Sequence, residues 1–309
     1  MPPRFPAPLH PGDRIVVLAP ASAPREAYDF QRGLDALRAT GYTIEVDYDA
    51  EARHGYLAAP DDQRLHAFNR ALRRDDIRAI LCVRGGYGAL RLLARLDYDA
   101  ARKHPKLLVG YSDVTALQWA LHTRAGWTSL SGPVLTEWHK LDADATTLFE
   151  SLASGRRPES LQQPSAQPLR SLTHGAAEGL LIGGNLSVCS RLVGTPYAPD
   201  LAGAILFLED VGEAPYRVDR MLAHLSLAGW LDDLAGVVLG QFTTGSVDGP
   251  SLTVDEVFQD YFADRPYPVA TGLCYGHFMP RATIPIGVRA RLDVTAEAAT
   301  LIPLEPVTR

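Results

Sequence analysis

Short apolar runs alternate along this chain with stretches whose apolar residues recur every three or four positions. Arg14–Pro20 (RIVVLAP) is a β-branched run between Gly12 and Pro20 and predicts a strand. Arg25–Thr40 follows with Tyr28, Leu34 and Leu37 at helical spacing and stops at Gly41, a suitable C-cap. Tyr42–Val46 predicts a second strand. Asp61–Asp75, with Leu65, Phe68 and Leu72 on one face, predicts a helix, and Ala79–Val83 (AILCV) a third strand. Leu107–Val109 predicts a short fourth strand, Val114–Ala125 a helix, and Thr128–Ser131 a fifth strand. Continuously apolar strands separated by helices mean a parallel sheet covered on both faces. In such doubly wound sheets ligands bind beyond the carboxyl ends of the strands, which directs attention to the residues after Val83 and Val109.

The polar, proline-bearing stretch Ser154–Ser171 breaks this rhythm and predicts a boundary. The expected organisation is a first domain over residues 1–155, a linker over 156–172 and a second domain over 173–309. In the second part Glu178–Ile182 and Ala204–Leu208 predict strands, Asp219–Leu227 and Thr253–Phe262 predict helices, and Val237–Leu239 is a buried-type apolar run. Ile284–Leu304 has short alternating runs without helical spacing, so antiparallel strands are expected to close this domain. The fold class is therefore α/β: an N-terminal doubly wound parallel sheet followed by a C-terminal mixed (α+β) domain.

Composition narrows the function. Of 309 residues, 46% are hydrophobic and 21% charged, and Gly and Pro together make about 16%, short of low complexity. The net charge is −6 and no basic tract occurs, which argues against nucleic acid or an anionic membrane as partner. No apolar run approaches the roughly 18 residues of a membrane span. The opening MPPRFPAPLHPGDR has no signal-peptide pattern, so a cytoplasmic location is expected. Cys82, Cys189 and Cys274 are odd in number and lie in apolar runs, as buried thiols would. There is no C-x-x-C, no pair of His at metal-ligand spacing and no dinucleotide or P-loop fingerprint. Neither a metal nor a cofactor is expected.

Four places carry candidate chemistry. Gly110-Tyr111-Ser112-Asp113 joins a strand to a helix. A Ser there is lifted above the sheet edge, and the Asp113 N–H points to the same place as half of an oxyanion hole. Val114 stands where a G-x-S-x-G elbow would have its second Gly, and Ser112 and Asp113 are also ordinary N-cap types. Arg84-Gly85-Gly86-Tyr87-Gly88 follows the third strand and could supply a second oxyanion donor, or could be only a tight turn. Glu209 and Asp210 end an apolar strand, where either could orient an imidazole or cap the next helix. Among nine histidines, His277 stands out: it follows the apolar Val269–Leu273 and sits beside Gly276, on a loop.

These stretches resemble the LD-carboxypeptidases, the muramoyltetrapeptide carboxypeptidases of serine peptidase family S66. The resemblance rests on VRGGYGALRLL at 83–93, LVGYSDVTAL at 108–117, GGNLSVCSRLVGTPY at 183–197, LFLEDVGEAPYRVDRML at 206–222 and GHFMPRATIPIG at 276–287. It implies a Ser112, Glu209, His277 triad, with Glu209 rather than Asp210 as the acid, at a site between the two domains. It also implies release of the terminal D-alanine from a murein tetrapeptide or its muramoyl conjugate, in the cytoplasm, by a homodimer. Gly86 and Asp113 would give the oxyanion N–H groups. Arg84, Gly85 and Tyr87 are candidates for gripping substrate, and Glu213, Tyr216 and Arg217 follow the acid closely enough to do so. A sister branch cleaves acyl-adenylate-type conjugates and confers microcin immunity, gripping its nucleotide with an aromatic. Trp127 and Trp138 are candidates for that platform, although both read better as packing residues. A non-catalytic peptide-binding module and an esterase are further alternatives.

Overall fold

A computed structural model of the chain describes residues 2–163, 165–245 and 249–309. The first five strands are β1 (Arg14–Leu18), β2 (Thr43–Asp47), β3 (Ala79–Cys82), β4 (Leu107–Gly110) and β5 (Ser129–Ser131). All five are parallel in the order β5-β4-β3-β1-β2. Ala27–Arg38 (α1), Asp61–Arg73 (α2), Tyr98–Lys103 (α3), Thr115–Ala125 (α4) and Ala143–Ala153 (α5) accompany them. Helix α1 turns Leu34 and Leu37 inward, as its spacing requires. Its Gly33 admits no side chain, since a Cβ would lie 1.9 Å from the Leu135 carbonyl oxygen.

Helix α4 departs from that one-faced pattern. Thr115 to Leu121 is buried without a break, so the helix is covered nearly all round. It lies between the first sheet and a second, and the Trp119 indole N–H donates across to the Gly183 carbonyl at 2.9 Å.

The second sheet contains β6 (Arg170–Thr173), β7 (Gly175–Asn185), β8 (Ala204–Asp210), β9 (Gly236–Phe242) and β10 (Val269–Thr271). Strands β7 to β10 are parallel, and β6 caps that edge antiparallel. Leu186–Ser190 (α6), Pro215–Leu227 (α7) and Val254–Phe262 (α8) complete this half. Helix α7 begins four residues before the expected Asp219, because Pro215 takes the first helical position, where no N–H is needed. Helix α8 starts with a capping box between Thr253 and Glu256.

One expectation is corrected. Ile284–Leu304 does not belong wholly to the second sheet. Its first part, β11 (Ile284–Ile286), returns to the first sheet and pairs antiparallel with β5. It is an edge strand, where Pro285 costs no ladder bond, and all three residues are buried. Only β12 (Val288–Val294) and β13 (Ala299–Pro303) close the second sheet antiparallel. The stretch expected as a linker, 156–172, packs on the second half. Leu161 is fully buried and its N–H donates to the Leu301 carbonyl at 2.9 Å. The Gln163 amide donates to the Arg281 carbonyl at 3.0 Å, and β6 already begins at Arg170. One apolar cluster runs through both sheets, from Leu108 and Trp119 to Leu206 and Val237.

Candidate active site

The carboxyl ends of β3, β4 and β8 and the loop after β10 meet between the sheets. Strand β4 ends at Gly110, Tyr111 is extended, and Ser112 then turns to φ 64°, the one positive-φ non-glycine among the described residues. A left-handed Ser stores roughly 1–3 kcal/mol of strain, which the surrounding structure must hold. A 3-10 turn over Ser112–Val114 leads directly into α4. The hydroxyl thus stands on a tight turn at a helix N-terminus, where the helix dipole favours negative charge.

The glycine loop after β3 packs against this turn. A Cβ on Gly85 would come within 2.8 Å of the Ser112 Cβ, so only glycine allows the approach. Gly86 has φ 100°, and among the described residues nothing accepts its N–H. Three groups hold the loop. Ser22 donates its N–H to the Gly85 carbonyl at 3.1 Å and accepts the Tyr87 N–H on Oγ at 3.1 Å. Buried Arg64 donates to the Gly88 carbonyl at 3.0 Å. The Asp113 carboxylate accepts the Ala89 N–H at 2.8 Å, tying the loop to the serine turn. Burial pushes the Asp113 carboxyl up to about 6, against the opposing pull of that N–H and of Arg64.

His277 faces the serine from the other sheet's loop. Its Nε2 lies 3.1 Å from Ser112 Oγ and its Nδ1 lies 2.7 Å from Glu209 Oε2. Glu209 is fully buried near the end of β8, and its Oε1 accepts the Asn185 amide at 3.1 Å. The neighbouring carboxylate is spent elsewhere. Asp210 accepts the Ser187 N–H at 2.8 Å, the Asn185 amide at 3.0 Å and the Val211 N–H at 2.9 Å. Burial and the adjacent Glu209 raise the Asp210 carboxyl above its ordinary value. Of the two rivals, only Glu209 contacts the imidazole.

The remaining candidates separate. Arg84 is half-buried and donates to the Ala23 carbonyl at 3.0 Å; burial, then repulsion from Arg25, lowers its guanidinium. Tyr87 is exposed and meets Tyr56 edge-on at 6.1 Å. Tyr216 and Arg217 pair with each other at the surface, through a 3.2 Å hydrogen bond. Glu213 is reached by the Ser187 hydroxyl at 3.5 Å. Trp127 and Trp138 are both buried, so neither offers a face to a ligand. The three cysteines are buried free thiols. His122, the other deeply placed histidine, binds the Trp127 carbonyl at 3.0 Å and serves packing.

Several contributors escaped the sequence reading. Tyr111 tilts its ring over His277 at 4.9 Å and donates its hydroxyl to Glu137 at 2.8 Å. Arg281 is buried with its guanidinium carbon 3.8 Å from the centre of the same ring. Asn185 joins Glu209 to Asp210. The Gln241 side chain accepts the Phe278 N–H at 3.0 Å and steadies the histidine loop. Asn185 and Arg281 had a signal: one is an N-cap type just before an apolar run, the other a lone cation just ahead of a buried one.

Comparison with known proteins now decides the family. The LD-carboxypeptidase N-terminal domain matches residues 15–132 and the LD-carboxypeptidase C-terminal domain matches residues 178–292. The chain belongs to the LD-carboxypeptidase family. A probable murein peptide carboxypeptidase of Bacillus subtilis (strain 168) is 36% identical over 300 residues, covering 96% of this chain and 93% of that protein. The crystal structure of muramoyltetrapeptide carboxypeptidase from Oxalobacter formigenes superposes with a TM-score of 0.82 at 32% identity, over 94% of this chain and 98% of that one. The microcin C7 self-immunity protein MccF, solved in complex with aspartyl sulfamoyl adenosine, superposes at 0.86 with 26% identity, over 99% of this chain and 100% of that one. This member of the family therefore aligns over 94% or more of its length with both kinds of protein.

Proposed function

We propose that the chain is a serine LD-carboxypeptidase that removes the terminal D-alanine from murein tetrapeptides or their muramoyl conjugates. The observation that carries this is the Ser112–His277–Glu209 relay, with links of 3.1 and 2.7 Å, beside a strained serine turn. Ser112 Oγ attacks the carbonyl of the third residue while His277 Nε2 takes its proton. Glu209 accepts from Nδ1, fixes the tautomer and offsets the charge that forms on the ring. The N–H groups of Gly86 and Asp113 receive the oxyanion. His277 then protonates the leaving D-alanine nitrogen, and water hydrolyses the acyl-serine. Arg84, two residues before Gly86, would take the free terminal carboxylate, with Gly85 and Tyr87 on the same loop. Murein peptides of this size arise during cell-wall recycling, so the reaction belongs in the cytoplasm, and the enzyme works as a homodimer.

The alternative is cleavage of acyl-adenylate conjugates, which the MccF likeness keeps in play. Against it, the two tryptophans that could have stacked on a base are buried. Mass spectrometry of the protein with tetrapeptide tests the reading. Loss of one D-alanine, absent with Ser112→Ala, supports it. Intact tetrapeptide with folded protein rules it out, and cleavage of an acyl sulfamoyl or acyl adenylate conjugate instead would establish the alternative.

A further inference from the structure

A buried cation stands behind the triad on neither side of the proton relay. Arg281 is 3% exposed. Its guanidinium carbon lies 3.8 Å from the centre of the Tyr111 ring, close enough for a strong cation–π contact. One of its nitrogens donates to Glu137 Oε2 at 2.5 Å and another to the Gly276 carbonyl at 3.0 Å. Glu137 also accepts the Tyr111 hydroxyl, at 2.8 Å. Burial alone would lower this guanidinium. Tyr111 and the Glu137 carboxylate outweigh it and hold the group above its ordinary value.

The positions of the partners give this cluster its meaning. Tyr111 immediately precedes Ser112, and Gly276 immediately precedes His277. One guanidinium therefore touches the residue before the nucleophile and the residue before the base, although these come from different sheets. We propose that Arg281, neutralised by Glu137 and laid on Tyr111, is a positioning residue that sets the Ser112–His277 distance and the electrostatic surroundings of the imidazole. The inference rests on the triad reading above.

The groups facing His277 are few. Glu209 comes from β8, with Asp210 beside it and turned away. Ser112 and Tyr111 come from the turn after β4. Arg281 and Glu137 both contact Tyr111, and Arg84 on the glycine loop feels the charge of Glu137 without a hydrogen bond to it. The Arg281 guanidinium lies within about 9 Å of the imidazole centre, so an uncompensated charge there is felt at the base. As built, Arg281 and Glu137 cancel. Removing either one unmasks the other, with opposite sign.

The test needs no knowledge of the substrate. A phosphonofluoridate reacts with an activated serine: an Oγ–P bond forms, the P–F bond breaks, fluoride leaves and His277 takes the proton. The rate of Ser112 labelling is measured against pH for the full-length protein and variants. In Glu137→Gln the bare cation disfavours a charged ring, so the midpoint of the profile moves down by about one pH unit. In Arg281→Met the bare carboxylate moves it up, by less, because Glu137 is partly solvated. The double variant returns towards the wild-type midpoint, as two partners in one interaction should. Arg281→Lys keeps the charge and the midpoint but labels more slowly, since an ammonium lacks the planar fork. Glu137→Gln preserves side-chain shape and carries the test alone if Arg281→Met does not fold. Slower labelling with unmoved midpoints in every variant overturns the proposal. Wild-type protein that never labels at Ser112 overturns the triad reading instead, and the bridge with it.

Discussion

The proposed nucleophile and its two partners are held by different means. On the first sheet, Ser112 is positioned largely by backbone: a left-handed φ and a glycine that lets a neighbouring loop touch it, the loop's own N–H groups being held by the Ser22 hydroxyl and the Asp113 carboxylate. On the second, His277 and Glu209 are positioned by side chains: Asn185 on the acid, Gln241 on the histidine loop, Arg281 and Glu137 against Tyr111. The contrast follows from the task. An oxyanion needs fixed donors, and main-chain N–H groups on rigid turns supply them at close quarters. An imidazole that gains and loses a proton needs neighbours whose charges balance, which only side chains supply.

The difference can be broken from either side. Ser112→Ala removes the nucleophile, and D-alanine release is expected to fall by on the order of 10⁴-fold or more, with the fold intact by circular dichroism. Exchanging the two adjacent carboxylates separately is the sharpest internal control. Glu209→Gln is expected to lower kcat by about 10⁴-fold, because the imidazole loses its orienting acceptor. Asp210→Asn places donors against the Ser187 N–H, and is expected to cost about 1–3 kcal/mol of stability in a denaturant melt. A kcat loss in Asp210→Asn matching that of Glu209→Gln would reverse their assignment.

Gly85→Ala probes the backbone half. Its new Cβ would sit 2.8 Å from the Ser112 Cβ, so the nucleophile must shift, and kcat is expected to drop by about 10²-fold with a smaller change in KM. Unchanged kcat would show that the close approach is not needed. The smallest effect is in Asp113. Its carboxyl titrates at about 6 when folded and near 3.8 otherwise, so folding takes up a proton between those values. Stability contributed by the protonated form is therefore lost as pH rises through that window, by about 3 kcal/mol at most. Asp113→Asn, which still accepts the Ala89 N–H, should escape that loss. Its Tm is expected to gain on the wild type by on the order of 5 °C between pH 4 and pH 7, and a constant gap would contradict the buried carboxylate.

The same contrast explains what could be read from the chain in advance. Positions at strand ends follow from local pattern, so Ser112, the glycine loop, Glu209 and His277 could be singled out from the residues beside them. The resemblance, not the pattern, favoured Glu209 over Asp210; the structural reason is Asn185 and the Ser187 N–H, which take up Asp210 from a different strand and helix. Arg281 and Glu137 are 144 residues apart, and nothing local to either announces the other. The return of Ile284–Ile286 to the first sheet was missed for a similar reason. Short alternating runs specify antiparallel pairing but not which sheet offers the free edge.

That returning strand has a consequence during synthesis. Strand β5 leaves the ribosome long before its partner, so its outer edge has no complement until residue 286 has been made. The N-terminal sheet cannot be completed by its own stretch of sequence: it waits until residue 286 has been translated. A stalled or truncated product carries an open β edge, the kind of surface on which other chains add. His277 and the strand at 284–286 emerge almost together, so the first sheet gains its last strand at about the moment the proposed triad is complete.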